Sequence, residues 1–208
     1  MTTEPAAVTR VDFPSADAFA HAAWLLRCEI PAMRAFAEVE AGHEGAFYDS
    51  GEPVILFERH HFYRLTHGRH AGARVPGVSA DWARICERTP GGYGPSSQQH
   101  LRLQAAAALD RDAALRSASW GLFQIMGSNH ASCGYPKLQR FITAMYREVD
   151  DHLRAFVMFI RHNEQLTDAL RARDWPTAAR LYNGPLFARN QYDHKLAAAY
   201  ARHKESIV

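Results

Sequence analysis

The sequence predicts a mainly α (α+β) fold, on three observations. Apolar residues recur at helical spacing through most of the chain, one short β-rich run interrupts them, and no internal repeat or long linker divides the 208 residues. A chain of this length with 47% hydrophobic residues can bury one substantial core. A single domain over residues 1–208 is therefore expected, with about residues 1–14 as a flexible N-terminal segment.

Each element follows from a local signal. Ser15 is placed to cap a first helix, in which Phe19, Ala22, Ala23 and Leu26 keep the i, i+3, i+4, i+7 pattern. Pro31 suits the first turn of a second helix over residues 31–41, stopped by Gly42. In "AFYDSGEPVILFERHHFYR", Asp49-Ser50-Gly51 is a turn signal and residues 54–58 are the best strand candidate, so the stretch reads as a small β-hairpin. Residues 67–99 read as loop, with a helical turn or two within 78–88. Residues 98–109 and 110–118 read as helices. One long helix is expected over residues 138–163, because Leu138, Phe141, Ile142, Met145, Val149, Leu153, Phe156, Val157 and Ile160 hold the helical period throughout. Two shorter helices follow, one from Asp174 and Pro176 and one over residues 192–203, separated by "YNGP".

Composition narrows the partners. Lys plus Arg (24) nearly balance Asp plus Glu (22), a net charge of +2, which argues against a nucleic-acid binder. Cys28, Cys86 and Cys133 are dispersed and odd in number, so no disulfide framework is expected and a reduced compartment of synthesis fits better. The first residues lack a basic-then-apolar signal pattern, and no segment is long and apolar enough to insert in a membrane. A cytoplasmically made monomer is the expectation.

Two carboxylates in "PAMRAFAEVEAG" have different surroundings by spacing alone. Glu40 follows Ala37, Phe36 and Met33 by three, four and seven residues, which places it on the apolar stripe. Desolvation there disfavours the charged form and suits a general acid, although a glutamate where a stripe meets solvent is also a common structural feature. Glu38 follows Arg34 by four and reads as a solvated ion pair. "SWGLFQIMG" sets one uncharged amide, Gln124, among large apolar side chains between two glycines, as a buried turn or a cleft lining would. His60, His61, His67 and His70 invite a metal reading. The tract has no HExxH, no Cys/His spacing and no evident carboxylate-bearing ligand set, so no metal and no cofactor are expected.

Taken in order, "EVEAG…GEPVILFERHHFYR…SASWGLFQIMG…YNGP" resembles the N-acetylmuramidase family of phage and prophage endolysins, within the lysozyme-like superfamily. The likeness runs from about residue 16 to 203, and the same landmarks echo the soluble lytic transglycosylases. It implies a lysozyme-like fold, a helical bundle around a long central helix with a small β-hairpin beside a catalytic cleft. It also implies cleavage of the β-1,4 bond between N-acetylmuramic acid and N-acetylglucosamine in peptidoglycan, with Glu40 as the acid. Ala41 stands where the family often has Ser.

Glycoside cleavage needs a proton donor and, in most routes, a second carboxyl that activates water or attacks the sugar. Strand alternation groups Glu58 with Val54 and Leu56, and the hairpin's place in lysozyme-like folds makes Glu58 the implied partner. Pairing with Arg59 or a histidine as scaffold is the alternative for Glu58, and Asp49 is the fallback. By the same resemblance Gln124 would bind an N-acetyl group or hydroxyl, Trp120 and Phe123 would stack on a pyranose or close the core, Tyr182 would touch the catalytic carboxyl, and Asn183 would shape the cleft. Without it, Asn183-Gly184 is a helix stop. Two other functions stay open: a lytic transglycosylase leaving 1,6-anhydro ends, and a non-catalytic wall-binding or phage structural module. Delivery to the wall would fall to a holin or a secretion apparatus.

Overall fold

Helices carry most of the chain in the computed structural model, which describes residues 13–41, 45–183 and 191–206. Helix α1 (Ala16–Leu26) begins as predicted, with Ser15 Oγ accepting the Ala18 amide at 3.1 Å. The same hydroxyl donates to Asp150 at 2.8 Å, so one residue caps the helix and ties it to a distant segment. Helix α2 (Ile30–Glu40) has Pro31 in its first turn, buries Met33, Phe36 and Ala37, and ends where Ala41 turns extended. Gly42, read as the stop, lies outside the described residues.

The sheet corrects the expected hairpin. Strands β1 (Ile55–Phe57), β2 (Ala118–Trp120) and β3 (Ile125–Met126) are antiparallel in the order β1-β2-β3, with Ile55 opposite Trp120 and Ser119 opposite Met126. Residues 45–58 supply only β1 and a single bridge between Phe47 and Pro53. The sheet's hairpin is the "SWGLFQIM" stretch itself. The end of the quoted stretch is helix α3 (Arg59–Leu65), whose winding buries Phe62 while leaving Arg64 in solvent. Local signals could not show that β1 pairs with a strand some sixty residues later.

Helix α4 (Ala80–Ala83) is the short turn expected in the long loop. Helices α5 (Gln99–Leu109) and α6 (Arg111–Arg116) follow the prediction closely, the second capped by Asp110 on the Ala113 amide at 3.0 Å.

The long central helix is two helices, α7 (Leu138–Arg147) and α8 (Val149–Arg161), broken at Glu148 with φ −159° and ψ 158°. No Pro or Gly marks the break, and the apolar stripe keeps its period on both sides, so periodicity alone does not reveal it. Tertiary bonds hold it open. Asp150, in the first turn of α8, accepts both the amide and the hydroxyl of Ser15. Arg147 clamps Asp151 across the break at 2.5 and 2.7 Å. Buried His152 accepts the Leu122 amide at Nδ1 (3.0 Å), so its Nε2–H donates to the Met145 carbonyl (2.8 Å), near the end of α7.

Helix α9 (Glu164–Ala172), capped by Asn163 on the Leu166 amide, was not anticipated, since Asn163 had been assigned to the end of the long helix. Helix α10 (Trp175–Asn183) starts at Asp174 and Pro176 as predicted, with Asp174 accepting the Thr177 amide at 3.2 Å. Helix α11 (Tyr192–Glu205) packs along α2. Its Arg202 and His203 pair with Glu38, His203 at 2.7 Å, replacing the expected Arg34 partner. Arg34 lies instead over the Phe19 ring.

Candidate active site

Glu40 is the last residue of α2, half-buried above a stripe whose Met33, Phe36 and Ala37 are fully buried. Two phenols approach it from the C-terminal helices. Burial pushes Tyr182 well above its usual value, and the neighbouring Glu40 carboxylate adds to the shift. Burial and then Glu40 raise Tyr192 in the same way. Both phenols thus lie within electrostatic reach of the Glu40 carboxyl. The sequence pointed to Tyr182 through the "YN" turn. Tyr192 was missed, because it reads only as the first residue of a helix. Asn183 closes α10, and its side chain, like Gly184 and Pro185, lies outside the described residues.

Tyr182 stands edge-on to Phe36 and Phe156, with ring centroids 5.2 and 5.5 Å away. Phe36, one turn before Glu40, stacks on Phe156 at 5.4 Å, and Phe123 stacks on the same ring at 4.2 Å. Phe156 thus joins the helix that ends at Glu40 to the turn of the β2–β3 hairpin in one aromatic core.

The "SWGLFQIMG" stretch forms that hairpin rather than the helix-entry turn suggested by its glycines. Gly121 takes φ +68°, and a Cβ there would meet His152 Nδ1 at 2.5 Å. Gly127 opens a short 3-10 turn, where a Cβ would lie 2.1 Å from the Leu115 carbonyl oxygen. Trp120 is 1% exposed and donates its indole N–H to Leu115 at 3.1 Å, so it belongs to the core and not to a sugar-binding surface. Phe123 is buried too. Gln124, half-buried at φ +47°, accepts Ser119 Oγ at 2.8 Å and donates to Gly121 O at 2.9 Å and Val54 O at 3.4 Å. Its amide is spent holding the turn in a left-handed geometry that non-glycine residues resist, which replaces direct sugar contact with a positioning role.

Glu58 and the hairpin turn lie at opposite ends of β1. The Glu58 amide bonds Ser117 at the start of β2, whereas Gln124 bonds Val54 at the other end of β1. Four residue steps of extended chain lead from Val54 to Glu58, about 13 Å at roughly 3.3 Å per residue. The continued alternation assumed for Glu58 ends with β1, and Glu58 instead precedes α3. There it accepts from Tyr93 Oη at 3.4 Å and faces His60 Nε2 at 3.8 Å, while burial raises its pKa against the lowering effects of both neighbours. Asp49 is exposed on its turn.

The helical start of α3 also corrects the view that the histidine tract lacks a carboxylate partner. Among the described residues Glu58, His60 and His61 each offer a ligand atom, all within 4.8 Å of one another. Arg64 lies 2.7 Å from His61 Nδ1, and its guanidinium can only donate, so that nitrogen's lone pair is engaged. With that lone pair taken, the trio is a poor cage for a cation.

Comparison with known proteins agrees with this arrangement. The N-acetylmuramidase family model matches residues 29–204. Among solved structures, the chain is similar to the endolysin of Burkholderia phage AP3, at 33% identity and a TM-score of 0.84 over 98% of this chain and 75% of that one. No curated protein matches the sequence. The fold is lysozyme-like, the non-catalytic module is set aside, and the chain belongs to the N-acetylmuramidase family of lysozyme-type, peptidoglycan-degrading glycoside hydrolases.

Proposed function

We propose that this protein cleaves the β-1,4 bond between N-acetylmuramic acid and N-acetylglucosamine, with Glu40 protonating the leaving oxygen. The observation that carries the reading is the position of Glu40 at the end of a buried helical stripe, with two phenols within its electrostatic reach. A half-buried carboxyl at the end of an apolar stripe is placed to serve as the proton donor to the glycosidic oxygen. The domain recognises the glycan and cuts it, with Gln124 and Gly121 fixing the hairpin turn whose Phe123 packs on the Phe156 ring shared with Phe36.

The position of Glu58 favours a second reading for the step that follows protonation. An inverting hydrolase places its carboxyls about 6.5–9.5 Å apart and a retaining one about 5–5.5 Å apart. Glu58 is engaged by Tyr93 and His60, which suits a route in which the muramic acid's own C6 hydroxyl attacks and leaves a 1,6-anhydro end without a second carboxyl. Mass analysis of digested walls separates the two: reducing muramic acid ends support hydrolysis, and anhydro ends alone support the transglycosylase. For the acid itself, Glu40→Gln should keep the fold and wall binding while lowering the lytic rate by about 10²–10⁴. An unchanged rate in that variant refutes the assignment.

A further inference from the structure

The break between α7 and α8 opens a recess of about 430 Å³ whose lining includes Arg140, Arg147, Arg154, Tyr135 and Gln139, and no acidic residue. The three arginines are spaced seven apart. In one straight helix they would lie along a stripe about 21 Å long, at 1.5 Å per residue. The extended Glu148 folds that stripe so that all three line one cavity.

Their charges are not equally answered. Arg147 is bound bidentately by Asp151, with Glu148 3.9 Å away. Arg140 and Arg154 are exposed and have no carboxylate partner among the described residues. Arg154 and Arg147 both lie within electrostatic reach of the Tyr135 phenol. The recess thus offers two uncommitted guanidiniums and a hydroxyl, a donor set shaped for carboxylate. Met158 on its wall adjoins Phe159, whose ring lies 6.2 Å from that of Tyr182, the phenol near Glu40.

We propose that this recess binds the carboxylates of the stem peptide that muramic acid carries on its lactyl group, so that the enzyme prefers peptide-bearing glycan. The substrate side of this inference rests on the glycan-cleavage reading, but binding can be measured without it. The test is calorimetry of the wild type and an R140A/R154A double variant, using three probes: an L-Ala–D-Glu–diaminopimelate tripeptide, the same peptide with its carboxylates amidated, and inorganic phosphate. Both altered residues are surface side chains outside the candidate catalytic machinery. The tripeptide should bind the wild type at least tenfold more tightly than the amidated peptide or phosphate, and at least tenfold more tightly than it binds the variant.

Rates on intact strands and on strands stripped of peptide complete the experiment. The variant should lose the preference for intact strands while its rate on stripped glycan stays unchanged. Equal tripeptide binding by the two proteins overturns the proposal, as does phosphate binding as tight as the tripeptide's, which marks a generic anion site. If no glycan is cut at all while the tripeptide still binds, the cleavage reading fails and the recess stands.

Discussion

The two ends of the small sheet treat their polar groups in opposite ways. At the hairpin end, every polar side chain singled out has its bonds made: Gln124 accepts one and donates two, Trp120 donates to Leu115, and His152 serves Leu122 and Met145 at once. At the Glu58 end, burial raises the carboxyl, His61 is lowered to about 4, and His60 Nδ1 is buried without a partner. Satisfied groups fix geometry, whereas desolvated and unpaired ones store electrostatic cost. The difference teaches that the stretch with the most distinctive sequence has its polar bonds made, and that the unbalanced charges lie in the histidine tract and its neighbouring glutamate.

The sharpest way to break the comparison is at Gly121. Alanine there must adopt φ +68° with its Cβ 2.5 Å from His152 Nδ1, so it disturbs the turn, the imidazole and the α7–α8 break together. Loss of about 3 kcal/mol or more is expected from urea melts of Gly121→Ala, since strain and a broken buried hydrogen-bond network add. A loss below about 1 kcal/mol would show that the hairpin end is not a rigid scaffold.

Gln124→Ala probes the same end more gently. It removes a half-buried amide that holds a left-handed residue, leaving Ser119 Oγ without its acceptor, and should cost about 1–2 kcal/mol. Its lytic rate should fall far less than that of Glu40→Gln, through a displaced turn rather than a lost sugar contact. If it matches the loss of Glu40→Gln without losing stability, the amide touches substrate after all.

Glu58→Gln tests the other end. With Glu58 held by Tyr93 and His60, the variant should keep its lytic rate within about tenfold, against the roughly 10²–10⁴ loss at Glu40. Burial raises the folded pKa of Glu58, so the folded state holds its proton more firmly than the unfolded chain and its ionisation at neutral pH opposes folding. The neutral glutamine should therefore leave the neutral-pH Tm unchanged or higher. A loss of activity equal to that at Glu40 would make Glu58 the second catalytic carboxyl and remove the argument for the anhydro route.

Much of this was legible in the sequence, for reasons that differ by residue. Ser15, Asp110 and Asp174 announce their helices because capping is a local bond between a side chain and an amide three residues on. The place of Glu40 at the end of a buried stripe was legible because helical spacing alone sets which residues share a face. The break at Glu148 was not, because it is held by Ser15, Arg147 and His152 in three dimensions while the apolar period runs on unchanged. β1 was found and its partner was not, for the same reason: a strand's propensity is local, but its pairing is not.

The smallest effect expected is a pH slope at His61. Burial first, then His60 and Arg64, lower its pKa from 6.5 to about 4. Between those values the unfolded chain binds a proton that the folded chain refuses, so stability rises with pH across that window and is lost as acid is added. Thermal melts of the wild type and His61→Gln at half-unit steps from pH 4 to 7 should show a shallower fall in Tm for the variant. Parallel slopes would mean that His61 titrates alike in both states, and the Glu58 end would then lose its claim to hold the unbalanced charges.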